Sequence, residues 1–390
     1  MLLAGLGADV IKVERPGGDP ARNVGPFYGD IPHPEKSLFW FAYNLNKKGI
    51  TLNIETADGR RIFKRLVETA DFVIESFPPG YMARLGLDYS ALTQINPRII
   101  MTSITPFGQT GPYRDHKGSD LICMASGGLM YVSGDPDRPP VRITVPQAYC
   151  HAGAHAAVAT MIAHHYRQIT GKGQHIDVSI IESVAWMVGD MAVLWSFDGF
   201  LTSRAGPRTG RGRLYMLDVW PCKDGEVCFR ILGGVYGRGI RPLAEWAERE
   251  GMAGALKEVK DWQAVDMSKV TQDEMERWEK AFKAFFAQKT KAELLEEAKA
   301  KHIYLMPSNT PRDLAEDEQL AARNYWVEVD HFDHLGTTVT HPGAPFMMSL
   351  TPWRIQRRAP LIGEHNVEIL GAELGLSKQK LEALKASNVI

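Results

Sequence analysis

Three observations predict an α/β protein built on parallel strands. Short apolar runs recur at residues 9–14, 50–54, 71–75 and 98–104, with helix-patterned segments between them. Strands alternating with helices at this spacing indicate parallel connections. A long helix rich in Ala and Gly then passes through a glycine turn into a further alternating run, residues 174–179. The 390 residues, 44% hydrophobic and 23% charged, have room for two or three globular domains.

The first strand, DVIKVE, ends at Arg15, Pro16, Gly17 and Gly18. After the second, Thr56 or Asp58 can cap a helix whose apolar face is Ile62, Phe63, Leu66 and Val67. The third is closed by Phe77, Pro78, Pro79 and Gly80, and helical residues continue to Ile95. A Gly/Pro loop at 106–113 follows the fourth, then a buried helix at 119–130 and a turn at 134–140. Residues 145–177 are the stretch around which the chain is organised. A helix opens near Ala148, and Ala152, Gly153, Ala156, Ala157 and Ala163 allow another backbone to come close. Thr170, Gly171, Lys172 and Gly173 stop it. From Arg138 to Ile176 there is no Asp or Glu. Another apolar helix is expected at 183–197, a glycine-arginine linker at 204–213, and a hairpin with Asp224 and Gly225 at its turn. Charged amphipathic helices fill 242–301, strand-like sequence returns at 327–346, and a helix ends the chain at 366–386.

The net charge of −1 excludes a general binder of nucleic acid or anionic membrane. No apolar run approaches the roughly 18 residues of a membrane helix, and the first seven residues are too short for a signal peptide. Cys123, Cys150, Cys222 and Cys228 form no C-x-x-C pair, so reduced thiols and a cytoplasmic location are expected.

Gly171, Lys172 and Gly173 invite a phosphate-loop reading, but Tyr166 stands where the first glycine belongs and no Ser or Thr follows Lys172. A helix cap is the better reading. His151 and His155 have zinc-ligand spacing without the intervening Glu or a third ligand; ordinary hydrogen bonding is the better reading. Cys150 beside His151 evokes a thiol–imidazole pair, yet adjacent helical residues point about 100° apart, so a small buried Cys is expected. Arg204, Arg208, Arg211 and Arg213 alternate with glycines and fit either a phosphate clamp or a solvated hinge.

Taken together, the motifs LGADVIKVERPGGDPAR, NLNKKGITLNI, ADFVIESFPPGYMARLGLDY, NPRIIMTSITPFGQTGP, ASGGLMYVSGDPDRPPVR, RQITGKGQHIDVSIIES, WPCKDGEV and RAPLIGEHNVEIL resemble the class III CoA-transferases, the CaiB/BaiF family, in that family's order along nearly the whole chain. The resemblance implies a large Rossmann-like domain whose first part is residues 1–200, a linker at 201–215, a small α+β domain at 216–325, and a segment at 326–390 returning to the large domain. It implies two chains interlocked like links. No permanent cofactor is implied, and a coenzyme A thioester is the substrate. In the family's frame Arg15 falls at the adenosine end of CoA, Leu52 and Asn53 on the nucleotide-contacting strand, and Ser76 and Phe77 on the loop after the third strand. Arg84 and Lys117 fall at phosphate-contacting positions.

Three departures stand out. The family transferases use an Asp nucleophile, which passes through an aspartyl mixed anhydride and an aspartyl-CoA thioester. Counting back from Gly153 and from Thr170 places that position at Tyr149, and a phenol cannot replace the carboxylate in such an exchange. The G-H-D triplet of the family's racemases is here Gly118, Ser119 and Asp120. Most members also carry a strand and a helix start before L-G-A-D-V-I-K. The first reading is therefore a subunit that lacks the nucleophile and pairs with a homologous, Asp-bearing chain, moving CoA from a donor such as succinyl-CoA to a carboxylic acid such as an (aryl)succinate. An interlocked homodimer is the other assembly. The alternatives are a self-sufficient acyl-CoA isomerase or hydratase using Tyr149, and a CoA-binding protein without turnover.

Overall fold

A computed structural model describes residues 1–211 and 214–390, with Arg211 described in its backbone alone. The runs at 9–14, 71–75 and 98–104 are strands; the second strand lies three residues earlier than the expected 50–54, so Leu52 and Asn53 follow it rather than stand on it. β1 (Val10–Glu14) pairs in parallel with β2 (Lys47–Thr51), Val10 opposite Lys47 and Glu14 opposite Thr51. Between them α1 (Leu38–Tyr43) starts at Ser37, whose hydroxyl accepts the Trp40 N–H at 3.1 Å. Of the two caps open in the sequence, Thr56 begins α2 (Ala57–Thr69) by accepting the Gly59 N–H at 3.0 Å. β3 (Phe72–Glu75), α3 (Tyr81–Arg84), β4 (Ile100–Thr105), α4 (Asp120–Ser126), α5 (Gln147–Thr170) and β5 (His175–Ser179) come next. β3, β4 and β5 form a second parallel ladder with β4 in the middle.

Three expected helices have different bounds. The helix expected at 119–130 stops at Ser126. A side chain at Gly127 would meet Val184 Cβ at 2.5 Å, and Gly128 turns the chain at φ +89°. The apolar segment at 183–197 is two helices, α6 (Ile180–Met187) and α7 (Gly189–Asp198), with Val188 outside helical geometry at φ −115°. The C-terminal helix is also interrupted: a π-helical Val367–Glu373 ends before Gly375 at φ +71°, and Ser377 caps α11 (Lys378–Ala386) after it. The expected linker contains regular structure, since β6 (Arg208–Arg211) pairs antiparallel with β7 (Leu214–Leu217). β8 (Val219–Cys222) and β9 (Gly225–Phe229) make the hairpin, with Lys223 and Asp224 as its two loop residues.

The helices α8 (Gly237–Arg249), α9 (Gln272–Phe286) and α10 (Lys291–Lys301) precede β10 (Leu305–Pro307), which joins β9. Thr271 with Glu274, and Thr290 with Glu293, form capping boxes that start α9 and α10. β11 (Trp326–Asp330) and β12 (Thr338–Pro342) form an antiparallel pair. The chain divides into two compact units. One holds Met1–Gly127, Pro146–Trp186 and Ala315–Ile390, and the other holds Gly128–Val145 and Met187–Leu314. The core of the second is aromatic, with Trp220, Phe229, Phe282 and Phe286 in mutual ring contact.

In the first unit the C-terminal segment is sewn to the first two strands. Ile369, Leu370 and Leu384 share a core with Ile50, Leu52, Ile62 and Met101. Asn366 accepts the Thr51 N–H at 2.9 Å, and His365 Nδ1 accepts the Gly49 N–H at 3.1 Å. The fully buried Arg22 ties three segments together. Its fork donates to both oxygens of Glu14 at 2.7 and 2.8 Å, to Glu35 at 2.7 Å and to the Pro360 carbonyl at 2.9 Å, over the Trp40 ring. A charge with this burial is tolerable only when each donor is met. Removing it would leave Glu14 buried without its counter-ion. Arg22→Ala is expected to cost about 3–5 kcal/mol in denaturant unfolding. Arg22→Lys, which keeps the charge without the fork, should cost less; equal stability of wild type and alanine variant would refute this account.

His331, at the end of β11, is fully buried with neither ring nitrogen bonded, packed against Phe41, His334 and His341. Burial pushes its pKa down to about 4, and His334, His341 and Arg358 add to this against the opposing Asp333. Burial also lowers His341. The folded state thus refuses a proton that the unfolded chain accepts below about pH 6.5. The neutral ring's contribution is fully present above pH 6.5 and is lost as pH falls towards 4, by about 3 kcal/mol for His331. Thermal unfolding from pH 7.5 to 4 should follow this slope, and His331→Leu should flatten it without lowering the midpoint at pH 7.5.

Candidate active site

The site is built around the start of α5. Its buried stripe is Ala148, Ala152, Ala156, Thr160, Ala163 and Arg167, one residue per turn. These small residues bring the helix onto β4 and β5, where Thr160 bonds Thr102 across 2.7 Å. At the far end Gly171 caps the helix at φ +75°, so the Gly-Lys-Gly sequence serves as a helix stop and not as a phosphate loop. Gly173 then passes so close to Ile99 that a Cβ would lie 1.9 Å from its carbonyl oxygen.

The first turn has no cap of its own, because Pro146 supplies no side-chain acceptor. Asp120 supplies it from α4. Its Oδ1 accepts the N–H of Ala148 at 2.9 Å and of Tyr149 at 3.4 Å. Ser119 in turn caps α4, accepting the Ile122 N–H. Asp120 is only 8% exposed, and its Oδ2 is buried without a partner. So the stretch empty of acids in sequence is not empty in space. Nothing local marks this, since cap and helix lie 28 positions apart.

Tyr149 stands on this turn and is 46% exposed. Burial raises the phenol above its usual range, and the fields of Cys123 and Asp120 add to this against the backbone contact that lowers it. It is therefore a neutral hydrogen-bonding group at ordinary pH, not an anion. Burial, aided by Asp120, pushes the Cys123 thiol up to about 11. Cys150 is exposed rather than buried as the sequence led one to expect, and its sulfur is 3.7 Å from the Tyr43 hydroxyl, so its polar neighbour is not His151. Burial and this contact raise Tyr43 to about 12. Among the described residues no group of three or more His, Cys, Asp or Glu is arranged to hold a metal ion.

The residues assigned to CoA in the family's frame lie beyond the C-terminal ends of β1 to β4, where parallel α/β sheets hold ligands. Arg15 is exposed just after β1, its Nε 3.4 Å from the Gly18 carbonyl. Leu52 is buried in the core after β2, and only its neighbour Asn53 is partly accessible. Asn53 donates its N–H to the Val389 carbonyl at 2.7 Å and holds the Glu55 N–H with its side chain. Ser76 and Phe77 are exposed after β3. Phe77 stacks on Tyr81 with ring centroids 4.6 Å apart, and the exposed Arg84 lies 5.5 Å from the Tyr81 ring. Tyr81 in turn donates to Glu55 at 2.9 Å, joining the loops after β2 and β3. Tyr81 and Glu55 escaped the sequence reading because neither stands out by type or spacing. Lys117 is exposed after β4.

The linker arginines are not a phosphate clamp as far as they are described. Arg204 donates to the carbonyls of Tyr131 and Asp135, at 2.8 and 3.2 Å. Arg208 forms a two-point pair with the buried Glu279 at 3.0 and 2.8 Å. The side chain of Arg211 and all of Arg213 lie outside the described residues.

The model of CoA-transferase family III matches residues 1–366. Subunit BbsE of succinyl-CoA:(R)-benzylsuccinate CoA-transferase from Thauera aromatica is 37% identical over 376 residues, covering 95% of this chain and 88% of that protein. Succinate–glutarate CoA-transferase from Agrobacterium fabrum is 31% identical, over 96% of this chain and 90% of its own length. The crystal structure of a CaiB/BaiF family protein from Brucella suis superposes with a TM-score of 0.77 at 30% identity, covering 96% of this chain and 93% of that one. The chain thus belongs to CoA-transferase family III.

Proposed function

We propose that this chain is the subunit without a nucleophile in a heteromeric CoA-transferase, acting with a homologous chain that carries the Asp. What supports this is Tyr149, a phenol of raised pKa on the first turn of α5, which the family resemblance puts where the nucleophile would stand. A mixed anhydride exchanges because a carboxylate leaves readily; a phenol of raised pKa offers neither the attacking anion nor the leaving group. The likeness to a named subunit of a benzylsuccinate CoA-transferase supports the same reading. The reaction is then transfer of CoA from a donor such as succinyl-CoA to a dicarboxylic acid of the arylsuccinate type, in the cytoplasm.

Apolar side chains favour association with another chain. On α5, Val158, Ile162 and Ile169 are 60%, 65% and 73% exposed. On α7, Trp195 and Phe197 are 60% and 84% exposed. Faces of this kind are costly in water and mark association surfaces. The assembly that fits is the interlocked pair of Rossmann-like chains. In this chain Arg15, Asn53, Ser76, Phe77, Arg84 and Lys117 would meet the nucleotide and phosphates of acyl-CoA, with Leu52 shaping the floor from beneath. Guanidinium and ammonium groups at strand ends suit those phosphates.

The chain purified alone should transfer no CoA, and co-expression with an Asp-bearing homologue should restore transfer, followed by chromatography of the acyl-CoA products. A homodimer that turns over by itself would refute the subunit reading. Tyr149→Phe should leave the heteromer's kcat within about twofold, whereas loss of a general acid costs about 10²–10⁴. A loss of that size would favour the reading in which the phenol does the chemistry.

A further inference from the structure

The β3–β4–β5 ladder has a polar line on the face away from α5. Thr102 points to α5, so Ser103, the next residue of β4, points to the other face. Glu75 and Asp177 stand opposite Ser103 in register, one on each neighbouring strand. Ser103 Oγ is 2.9 Å from His175 Nε2, and Tyr89 stacks on that imidazole at 5.7 Å. Each carboxylate accepts one backbone N–H from a loop that follows a strand of this ladder. Glu75 Oε2 accepts from Phe77 at 2.7 Å, and Asp177 Oδ2 accepts from Gln109 at 2.8 Å. Those N–H groups belong to the loops after β3 and β4, which carry Phe77 and lead to Lys117.

Two acids on one sheet, one of them half-buried, oppose folding unless something holds them. Burial raises the Glu75 carboxyl; the Ser103 hydroxyl and the Phe77 N–H pull it down, His175 helps, and Asp177 opposes. That balance leaves Glu75 taking its proton at a higher pH than an ordinary glutamate, and a protonated carboxyl is a weaker acceptor for the Phe77 N–H.

We propose that Glu75 and Asp177 are positioning residues for acyl-CoA on this chain, fixing through their backbone N–H contacts the two loops on which it rests. This rests on the CoA reading proposed for this chain. The geometry supplies the reason: Phe77 presents its ring to Tyr81 from a backbone that Glu75 anchors.

The test titrates CoA into the full chain by calorimetry from pH 5 to 8, for the wild type, Glu75→Ala and Glu75→Gln, with hydrogen exchange read at the Phe77 amide. Glu75→Ala should bind CoA about tenfold more weakly and exchange the Phe77 amide faster. Glu75→Gln, which keeps an acceptor oxygen, should stay within about twofold at pH 7.5 and lose the decline that the wild type shows towards pH 5. Ser103→Ala removes a donor to the charged form, so its decline should begin at higher pH; this arm remains decisive if Glu75→Ala does not fold. Wild-type affinity in Glu75→Ala, or a wild-type pH profile in Glu75→Gln, overturns the positioning role alone. A wild type that binds no CoA at any pH overturns the CoA reading itself, and the proposal with it.

Discussion

The interaction on which the site depends is one carboxylate at the head of one helix. α5 enters from Pro146 with unsatisfied N–H groups, and Asp120 takes two of them. A negative charge at a helix N-terminus is favourable twice over, through those bonds and through the dipole. Everything downstream then has a fixed phase. With Ala148 turned inward, Ala152, Ala156, Thr160, Ala163 and Arg167 must also face the sheet, and Tyr149 must face out. Arg167 closes the far end by donating to the carbonyls of Asp71 and Arg98. Helix phase, sheet contact and the exposure of residue 149 are one decision, made at Asp120.

That dependence separates what is legible in the sequence from what is not. Strands β1, β3 and β4 announce themselves by short apolar runs between turn residues, β5 by alternation and α5 by its small residues, while β2 lies three residues before the run at 50–54. These signals are local. Asp120 and Arg22 are not legible, because a charged residue in a sequence reads as surface until its partner is known. Arg22 is buried only because Glu14, Glu35 and the carbonyl of Pro360, 338 residues away, converge on it. The overlong helices at 119–130, 183–197 and 366–386 share one error, since apolar periodicity continued through Gly127, Val188 and Gly375, where backbone geometry or a crowded neighbour broke it. Arg208, legible only as part of a phosphate clamp or a solvated hinge, is hidden for the same reason as Arg22: its partner Glu279 lies 71 residues on.

The candidate CoA edge shows a second division of labour. Exposed groups there, such as Arg84 and Phe77, are held by residues that would not touch a ligand. Tyr81 carries the Phe77 ring and is itself held by Glu55, while Glu75 carries the Phe77 backbone. Leu52 is core, so its substitution would speak about packing as much as about a nucleotide. Such supporting residues carry no motif of their own, yet contact geometry rests on them.

Asp120 also bears on the chemistry of position 149. Its Oδ1 is already committed to the helix and its Oδ2 is buried, so it is a poor candidate for attack on a thioester from outside. Burial, with its charge as a smaller contribution, raises the neighbouring groups Tyr149 and Cys123 rather than activating them. A carboxylate at 149, half-exposed on this turn, would be ionised at neutral pH, whereas the phenol there stays protonated. The turn is therefore intact and electrostatically quiet, presenting a neutral hydrogen-bonding phenol, and on the proposed reading the attacking carboxylate belongs to a partner chain.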